Sequence, residues 1–435
     1  MSAAAPDPQT VPPGYKRTEV GVIPVDWEVP TINQLIENKS ILGHLDGNHG
    51  ELYPRSSEFK QHGVPYIGAN DFADGFVEFE RCKFLSEERA ARFRKGVAKN
   101  GDVLFAHNAT VGPVALLRIS ENFVILSTTA TYFRCNCKKL SSIYLAYALQ
   151  SPQFVKQYQA VMAQSTRFQV PITAQRKLLL VIPPLPEQRT IATALSDVDA
   201  LITALDTLIA KKRAIKQGAM QQLLTGKTRL PGFEGEWEEK RLGDITIVND
   251  RNHLTPKYVF DGIPLISPTN FTDVGIDLSS CKSTTKKEWK EFCVKTNPAN
   301  GDILYSRIGS IGMARKAPDN MEYVALHSIA MIKPLVQIVD DFLLYVLNSS
   351  FLLQQANIGI QSAGTPDIGL DKIRSFIVPL PSLPEQTAIA TVLSDMDAEI
   401  TALEQRRDKT KAIKQGMMQE ILTGKTRLIK PETTT

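Results

Sequence analysis

Several short motifs in this 435-residue chain have residue types that could carry chemistry, and each lacks a component. Gly226-Lys227-Thr228 and Gly424-Lys425-Thr426 imitate the end of a phosphate-binding loop, but Gln221 and Gln419 stand where that loop needs its first glycine. Both are read as helix stops. Asn297-Pro298-Ala299-Asn300 lacks the second proline and the aromatic of an amino-methyltransferase tetrad, and no glycine-rich cofactor loop precedes it. Pro366-Asp367 has no acid-x-lysine behind it, since Asp371 is followed directly by Lys372, which argues against a nuclease. The five cysteines (Cys82, Cys135, Cys137, Cys281 and Cys293) contain no pair of CxxC units, and Cys135 and Cys137 merely alternate in a strand-like stretch. No metal is assigned, reduced thiols are expected, and the chain reads as non-catalytic.

Composition permits one class of partner in particular. Hydrophobic content of 43%, charged content of 22% and a mean hydropathy of -0.13 are those of a globular chain long enough for two or three domains. The longest apolar runs, such as Leu178 to Ile182, are far too short to span a bilayer, and no signal-peptide pattern opens the chain, so a cytoplasmic protein without a membrane partner is expected. A net charge of +4 is mildly basic. The cations concentrate at Lys211, Lys212, Arg213, Lys216, Lys227 and Arg229, and again at Arg406, Arg407, Lys409, Lys411, Lys414, Lys425 and Arg427. Nucleic acid is compatible with this distribution, and so is a solvated helix face.

Those two clusters belong to an internal repeat. Residues 191–230 and 389–428 align without gaps and share 27 of 40 residues, and both copies follow LPEQ (Leu185 to Gln188, Leu383 to Gln386). Weaker matches lie upstream: Asp26-Trp27-Glu28 with Glu236-Trp237-Glu238, Val64-Pro65 with Ile263-Pro264, and Asn100 to Leu104 with Asn300 to Leu304. The first copy carries about ten extra residues between Trp27 and Pro65. Halves that agree in one segment and diverge elsewhere suit one scaffold with two specificities.

The agreeing segment reads as a long helix. Ile191, Leu195, Val198, Ile202 and Leu205 alternate spacings of four and three, and Ile389, Leu393, Met396, Ile400 and Leu403 keep the seam in the second copy. Pro186 and Glu187 suit the first turn, and Gly226 and Pro231 mark the stop. At about 1.5 Å per residue such a helix is roughly 58 Å long, enough to space two readers on DNA. Each helix is expected to pair antiparallel with the other. Gly218 and Gly416 fall at the same place in both, where close approach, a bend or simple fraying would explain them.

LPEQ followed by a heptad helix and then KQGxMQxxLTGKTRL, twice in one chain, resembles the specificity subunit of type I restriction-modification systems. The opening from Gly14 to Trp27 and the GDVLF and GDILYSRIGSIG stretches resemble that family too, so the likeness covers nearly the whole chain. It implies an α+β fold with two target recognition domains separated by two antiparallel helices in a coiled coil, at 15–185 and 232–380 for the domains and 186–230 and 384–430 for the helices. It further implies that each domain reads half of an asymmetric bipartite site in double-stranded DNA. Two modification subunits would supply adenine methylation and two restriction subunits ATP-driven translocation and cleavage. S-adenosylmethionine, ATP and Mg²⁺ would belong to those partners, with no cofactor in this chain. The recognition subunit of a related system cutting on both sides of its site, and a coiled-coil scaffold that binds only protein, are the alternatives.

Base readout needs Arg, Lys, Asn, Gln, Ser or Thr on loops after short strands. The first domain offers Arg55, Lys60, Asn70, His107, Asn108, Thr110 and Arg167; the second offers Ser267, Thr269, Asn270, Lys286, Lys287, Arg307, Ser310 and Thr365. Arg307 is the strongest candidate for a base or phosphate contact, with a surface arginine or an internal carboxylate partner as the competing readings.

Overall fold

Asp102 and Asp302, the acids of the two Asn-Gly-Asp segments, are buried turn residues. Gly101 and Gly301 both sit at φ 85°, a left-handed conformation open to glycine without strain. Asp102 accepts the Lys99 amide at 2.7 Å and the Arg134 guanidinium at 2.7 and 2.9 Å. Asp302 accepts the Ala299 amide at 2.8 Å and the Lys333 ammonium at 2.7 Å. Each turn launches an apolar strand, Val103–Asn108 and Ile303–Ser306, at the centre of a sheet.

The structure, a computed structural model, describes residues 11–47, 53–164, 167–251, 255–273, 275–296, 298–358, 360 and 366–429. It divides into two compact units, residues 1–204 with 406–435 and residues 205–405. The first unit holds an antiparallel four-stranded sheet in the order Thr110–Leu116, Val103–Asn108, Ala130–Cys135, Ile41–Asp46. A second, five-stranded sheet runs Phe59–Lys60, Lys83–Leu85, Val64–Ile67, Val124–Leu126, Val97–Ala98, with Val64–Ile67 and Val124–Leu126 parallel.

The second unit repeats this with shorter edges. Its four-stranded sheet is Thr246–Asn249, Ile329–Pro334, Ile303–Ser306, Ala314–Lys316. A three-stranded sheet places Ile263–Ile266 between Lys282–Thr284 and Val324–Ala325, again with one parallel pair. In both units one face of the four-stranded sheet is covered by two helices, Ser142–Ala148 and Pro152–Ala163 in the first and Asp340–Leu347 and Ser350–Ile358 in the second, which share its core.

The long helices span Leu185–Leu223 and Leu383–Ile421, 39 residues each. Both stop short of the expected 230 and 430, where Gly226 (φ 66°) and Gly424 (φ 72°) take the left-handed conformation that turns the chain out of a helix. Each helix is shared between the units, so that a unit consists of one recognition domain with the first part of one helix and the last part of the other. Within the first unit Ile191 and Leu195 join the core beside Ile421 and Leu422; within the second, Ile389 and Leu393 join Met220, Leu223 and Leu224. Leu205 and Ile400 are buried too, while Val198, Ile202, Met396 and Leu403 are half-buried. Full burial of one such side chain contributes about 1.5–3 kcal/mol, which explains why a helix with little cohesion of its own is stable here.

Ion pairs fix the direction of pairing. Lys414 Nζ lies 2.6 Å from Asp199 in the first unit, and Lys216 Nζ 2.5 Å from Asp397 in the second, so late residues of one helix meet early residues of the other. The helices are antiparallel, as the repeated order of domain and helix leads one to expect. Tyr147 and Tyr345 donate to the same two aspartates at 2.7 and 2.9 Å.

The LPEQ motif proves to be a joint. Glu187 accepts the Trp27 indole at 2.9 Å and two Arg427 nitrogens at 2.8 and 2.6 Å; Glu385 accepts the Trp237 indole at 3.1 Å and two Arg229 nitrogens at 2.5 and 2.7 Å. Gln188 and Gln386 each accept a backbone amide of their own domain, from Ser141 and Val339, at 2.9 and 2.8 Å. The expectation that Glu187 serves the helix dipole is thus too small a role: it is a buried carboxylate clamped by an arginine from the other helix's tail.

Candidate nucleic-acid interface

In each unit a set of turns whose side chains differ between the halves is gathered at the carboxyl ends of the central strands. In the first unit the Ser127 amide bonds Ile67 O at 2.7 Å, the Ala69 amide bonds Thr129 Oγ1 at 2.9 Å, and the His107 amide bonds Thr129 O at 3.0 Å. Val170 and Ala109 donate in turn to His107 O and Phe168 O at 2.8 and 3.1 Å. These bonds join the Gly68 to Asp71 turn, the Ser127 to Thr129 turn, the hairpin tip at 107–110 and residues 167–170 into one ridge.

The second unit builds the same ridge. Leu326 donates to Ile266 O, Arg307 to Ser328 O, Ile368 to Arg307 O and Gly309 to Pro366 O, at 2.8, 2.9, 3.0 and 2.9 Å. Backbone connections are preserved while side chains change: His107 answers Arg307, Ala109 answers Gly309, and Phe168 answers Pro366. A fixed frame carrying variable side chains is the arrangement in which sequence readout can be exchanged.

Six of the sequence-chosen residues present exposed or half-exposed side chains on a ridge: Asn70, Asn108 and Thr110 in the first unit, and Ser267, Thr269 and Ser310 in the second. Arg167 is exposed beside Phe168. Ser267 is partly engaged, its hydroxyl lying 2.7 Å from Thr269 Oγ1 and 2.9 Å from Asn270 Oδ1.

Three candidates are structural instead. Arg307 is 8% exposed. Its guanidinium donates to Ile368 O at 3.1 Å and His327 O at 2.9 Å, and reaches Asp250 and Asp367 at 3.4 Å. The internal carboxylate reading therefore describes it, because a cation this buried is stable only when paired. Asn270 is buried, its Oδ1 accepting the Ser267 amide at 2.8 Å and its Nδ2 donating to Ser280 at 3.1 Å, the turn-closing role that Asp71 plays for Gly68 in the first unit. His107 is buried at the base of the hairpin tip.

Arg55, Lys60, Lys286 and Lys287 are exposed but belong to the edge-strand side of the five-stranded and three-stranded sheets, and none of the bonds that build the ridges involves them. Lys286 is 3.2 Å from Glu322. Thr365 lies outside the described residues, as do Ser165, Thr166 and Asn297.

Beneath the first ridge lies a buried polar trio that sequence reasoning missed. His44 Nε2 is 3.1 Å from Gln175 Oε1, and Gln175 Nε2 donates to Thr131 Oγ1 and Val170 O at 3.2 and 2.9 Å. Burial lowers the His44 pKa to about 4, more than the Gln175 hydrogen bond raises it. Arg176 reaches His44 O at 3.4 Å, as Arg374 reaches Val248 O at 2.6 Å, so His44 corresponds to Val248 and Gln175 to Ile373. The second unit is apolar at these positions, and only the tertiary correspondence reveals it.

The five cysteines are free thiols; burial pushes Cys82 and Cys135 up to about 12 and Cys293 up to about 11, which suits packing rather than nucleophilic roles. Among the described residues no helix is long and apolar enough to cross a membrane, and no His, Cys, Asp and Glu cluster could hold a metal ion.

With this geometry in place, the comparison with known proteins is direct. The family model of the type I restriction modification DNA specificity domain matches residues 24–217 and again 234–415, and the chain belongs to that family. A putative type I restriction enzyme MjaX specificity subunit of Methanocaldococcus jannaschii is 25% identical over 436 residues, covering 95% of this chain and 97% of that one. The EcoBI specificity subunit of Escherichia coli is 24% identical over 274 residues, 56% of each chain. A chain from a structure of complex assembly in a type I system aligns with a TM-score of 0.58 at 18% identity over 93% of this chain and 99% of that one. The S subunit of a type I system from M. genitalium aligns at 0.54 with 16% identity over 91% and 96%. Both share the fold of this chain.

Proposed function

We propose that this chain is the DNA-reading specificity subunit of a type I restriction-modification complex, itself non-catalytic. One ridge would read each half of an asymmetric bipartite site, and the long helices would set the spacing between the halves. The observation that carries this reading is the pairing of identical joints with divergent ridges: Glu187–Arg427 and Glu385–Arg229 repeat, whereas Ala109, His107 and Phe168 become Gly309, Arg307 and Pro366.

Modification subunits would bring S-adenosylmethionine and adenine methylation, and restriction subunits ATP, Mg²⁺ and cleavage. Two copies of one partner are favoured by a feature of the helices. A Cβ added at Gly218 or at Gly416 would meet nothing within 4 Å, so close approach within this chain is not what either glycine serves. Ile215 and Ile413, three residues earlier on the same helix faces, are 47% and 50% exposed. The repeat keeps a half-exposed apolar side chain and an open glycine in both copies, which suits a helix of one partner docking twice.

DNA binding measured against salt tests the reading. The chain with its modification partner should bind a target duplex tightly, with the logarithm of the affinity falling linearly in log[salt], and the chain alone should bind weakly. A protein-only scaffold would show no salt-dependent DNA affinity in either state.

A further inference from the structure

We infer that Phe168 is a wedge that enters the base stack of the half-site read by the first unit, an inference resting on the DNA-reading function above. Phe168 is 77% exposed. A single exposed apolar residue needs no explanation by itself; the framework that presents this one does. Its carbonyl accepts the Ala109 amide at 3.1 Å, and its neighbours Gln169 and Val170 are bonded to Asn108 and His107, so the phenyl ring stands on a pinned segment of the ridge.

Ala109 is held at φ 65°, in the left-handed region that a residue with a Cβ disfavours, to make that bond. The second unit meets the same requirement with Gly309 at φ 80° and presents Pro366 where the first presents Phe168. The aromatic is thus peculiar to one of two otherwise repeated ridges, in the part of the fold where the readers differ. The residues paired or adjacent to it along the ridge, Asn108, Thr110, Arg167 and Gln169, are all of types that donate to base edges and phosphates.

Phenylalanine in such a setting can slip between base pairs and partly unstack them, bending the duplex so that it meets more of the protein surface. Pyrimidine–purine steps unstack most easily, so a wedge gives selectivity for a TA or CA/TG step without a hydrogen bond to either base. The first half-site should therefore carry such a step, and the second unit should bind its half-site without unstacking at the corresponding place.

The test uses the full chain assembled with its modification partner and a duplex carrying the bipartite motif that the complex methylates, with 2-aminopurine placed in turn at positions of the first half-site. The wild-type complex should raise 2-aminopurine fluorescence at one step. F168A should abolish that rise and weaken binding about 5- to 150-fold, the range for loss of one base-stacking aromatic, while F168W retains both. The inference is overturned if the wild-type complex leaves fluorescence unchanged at every step, if F168A binds the duplex as well as wild type, or if F168A impairs only assembly with the protein partner, which would make the ring a protein contact. A wild-type complex that methylates no motif would overturn the DNA-reading function itself, and the wedge with it.

Discussion

Arg427 reaches back across 240 residues of sequence to hold Glu187 through two hydrogen bonds, the shorter at 2.6 Å, and Arg229 holds Glu385 in the same way. Glu187 is 2% exposed and Glu385 1%. A buried carboxylate stripped of its cation typically costs about 3–5 kcal/mol. Arg427→Ala should lower the stability of the first unit by that order in urea denaturation. The double variant Glu187→Gln with Arg427→Ala should recover part of the loss, because glutamine carries no charge and still accepts the Trp27 indole. An Arg427→Ala chain with the wild-type midpoint would show that the joint contributes nothing.

Acid should act on the two units unequally. In the folded protein His44 titrates near 4, below its ordinary 6.5, because burial disfavours the charged ring. Between those values the unfolded chain binds a proton that the folded chain does not. The stability due to neutral His44 is therefore complete at neutral pH and is lost as pH falls from about 6.5 toward 4, by up to about 3 kcal/mol. The triple variant His44→Val, Thr131→Ala, Gln175→Ile copies Val248, Ala330 and Ile373 of the second unit, Ala330 pairing with Tyr305 as Thr131 pairs with Phe105, and should remove this part of the pH dependence. Unfolding midpoints at pH 7 and pH 4.5 measure it, and equal acid sensitivity of variant and wild type would contradict the assignment.

Arg307 and Ser310 should separate stability from recognition. Arg307→Ala empties the pairings to Asp250, Asp367 and two carbonyls, and should destabilise the second unit by about 3 kcal/mol or more. Ser310→Ala, at an exposed site on the ridge, should leave the melting temperature within about 1 kcal/mol equivalent of wild type while weakening or relaxing DNA binding. Thermal melts paired with DNA titrations decide it. The opposite outcome, a stable Arg307→Ala chain that has lost DNA, would restore Arg307 as a contact.

Gly218 and Gly416 offer a test of partner docking. Alanine at either should stabilise its helix by about 1 kcal/mol, since the space is open and glycine is a poor helix former. Leucine at either should leave the isolated chain folded but block one partner molecule, and leucine at both should block two. Analytical ultracentrifugation of the chain mixed with purified modification subunit reads the stoichiometry. Full assembly by the double leucine variant would remove the argument from these patches.

Much of the scaffold was legible because repetition and helical periodicity are local. The seam from Ile191 to Leu205 and the glycine stops follow from spacing, and the antiparallel pairing follows from the repeated order of domain and helix. The joint was not legible, since Glu187 finds Arg427 only through the tertiary fold, and a glutamate in a first helical turn has an adequate local explanation. Among the candidate residues, hairpin position is enough to place Asn108 and Thr110 on the ridge surface, but residue type does not show that Arg307 and Asn270 are buried: a donor suited to a base edge is equally suited to a buried carbonyl, and only burial distinguishes them. Phe168 was not legible because its place on the ridge is fixed by the Ala109 backbone bond, a tertiary contact that no sequence spacing encodes.

The central claim, that this chain dictates which DNA sequence is modified, is tested most directly by methylome sequencing of a methylation-free host carrying the gene together with a neighbouring modification gene, compared with the modification gene alone. An asymmetric bipartite adenine-methylated motif that appears only when this chain is present is the expected result. Assembly of the partners without any new motif would contradict the claim.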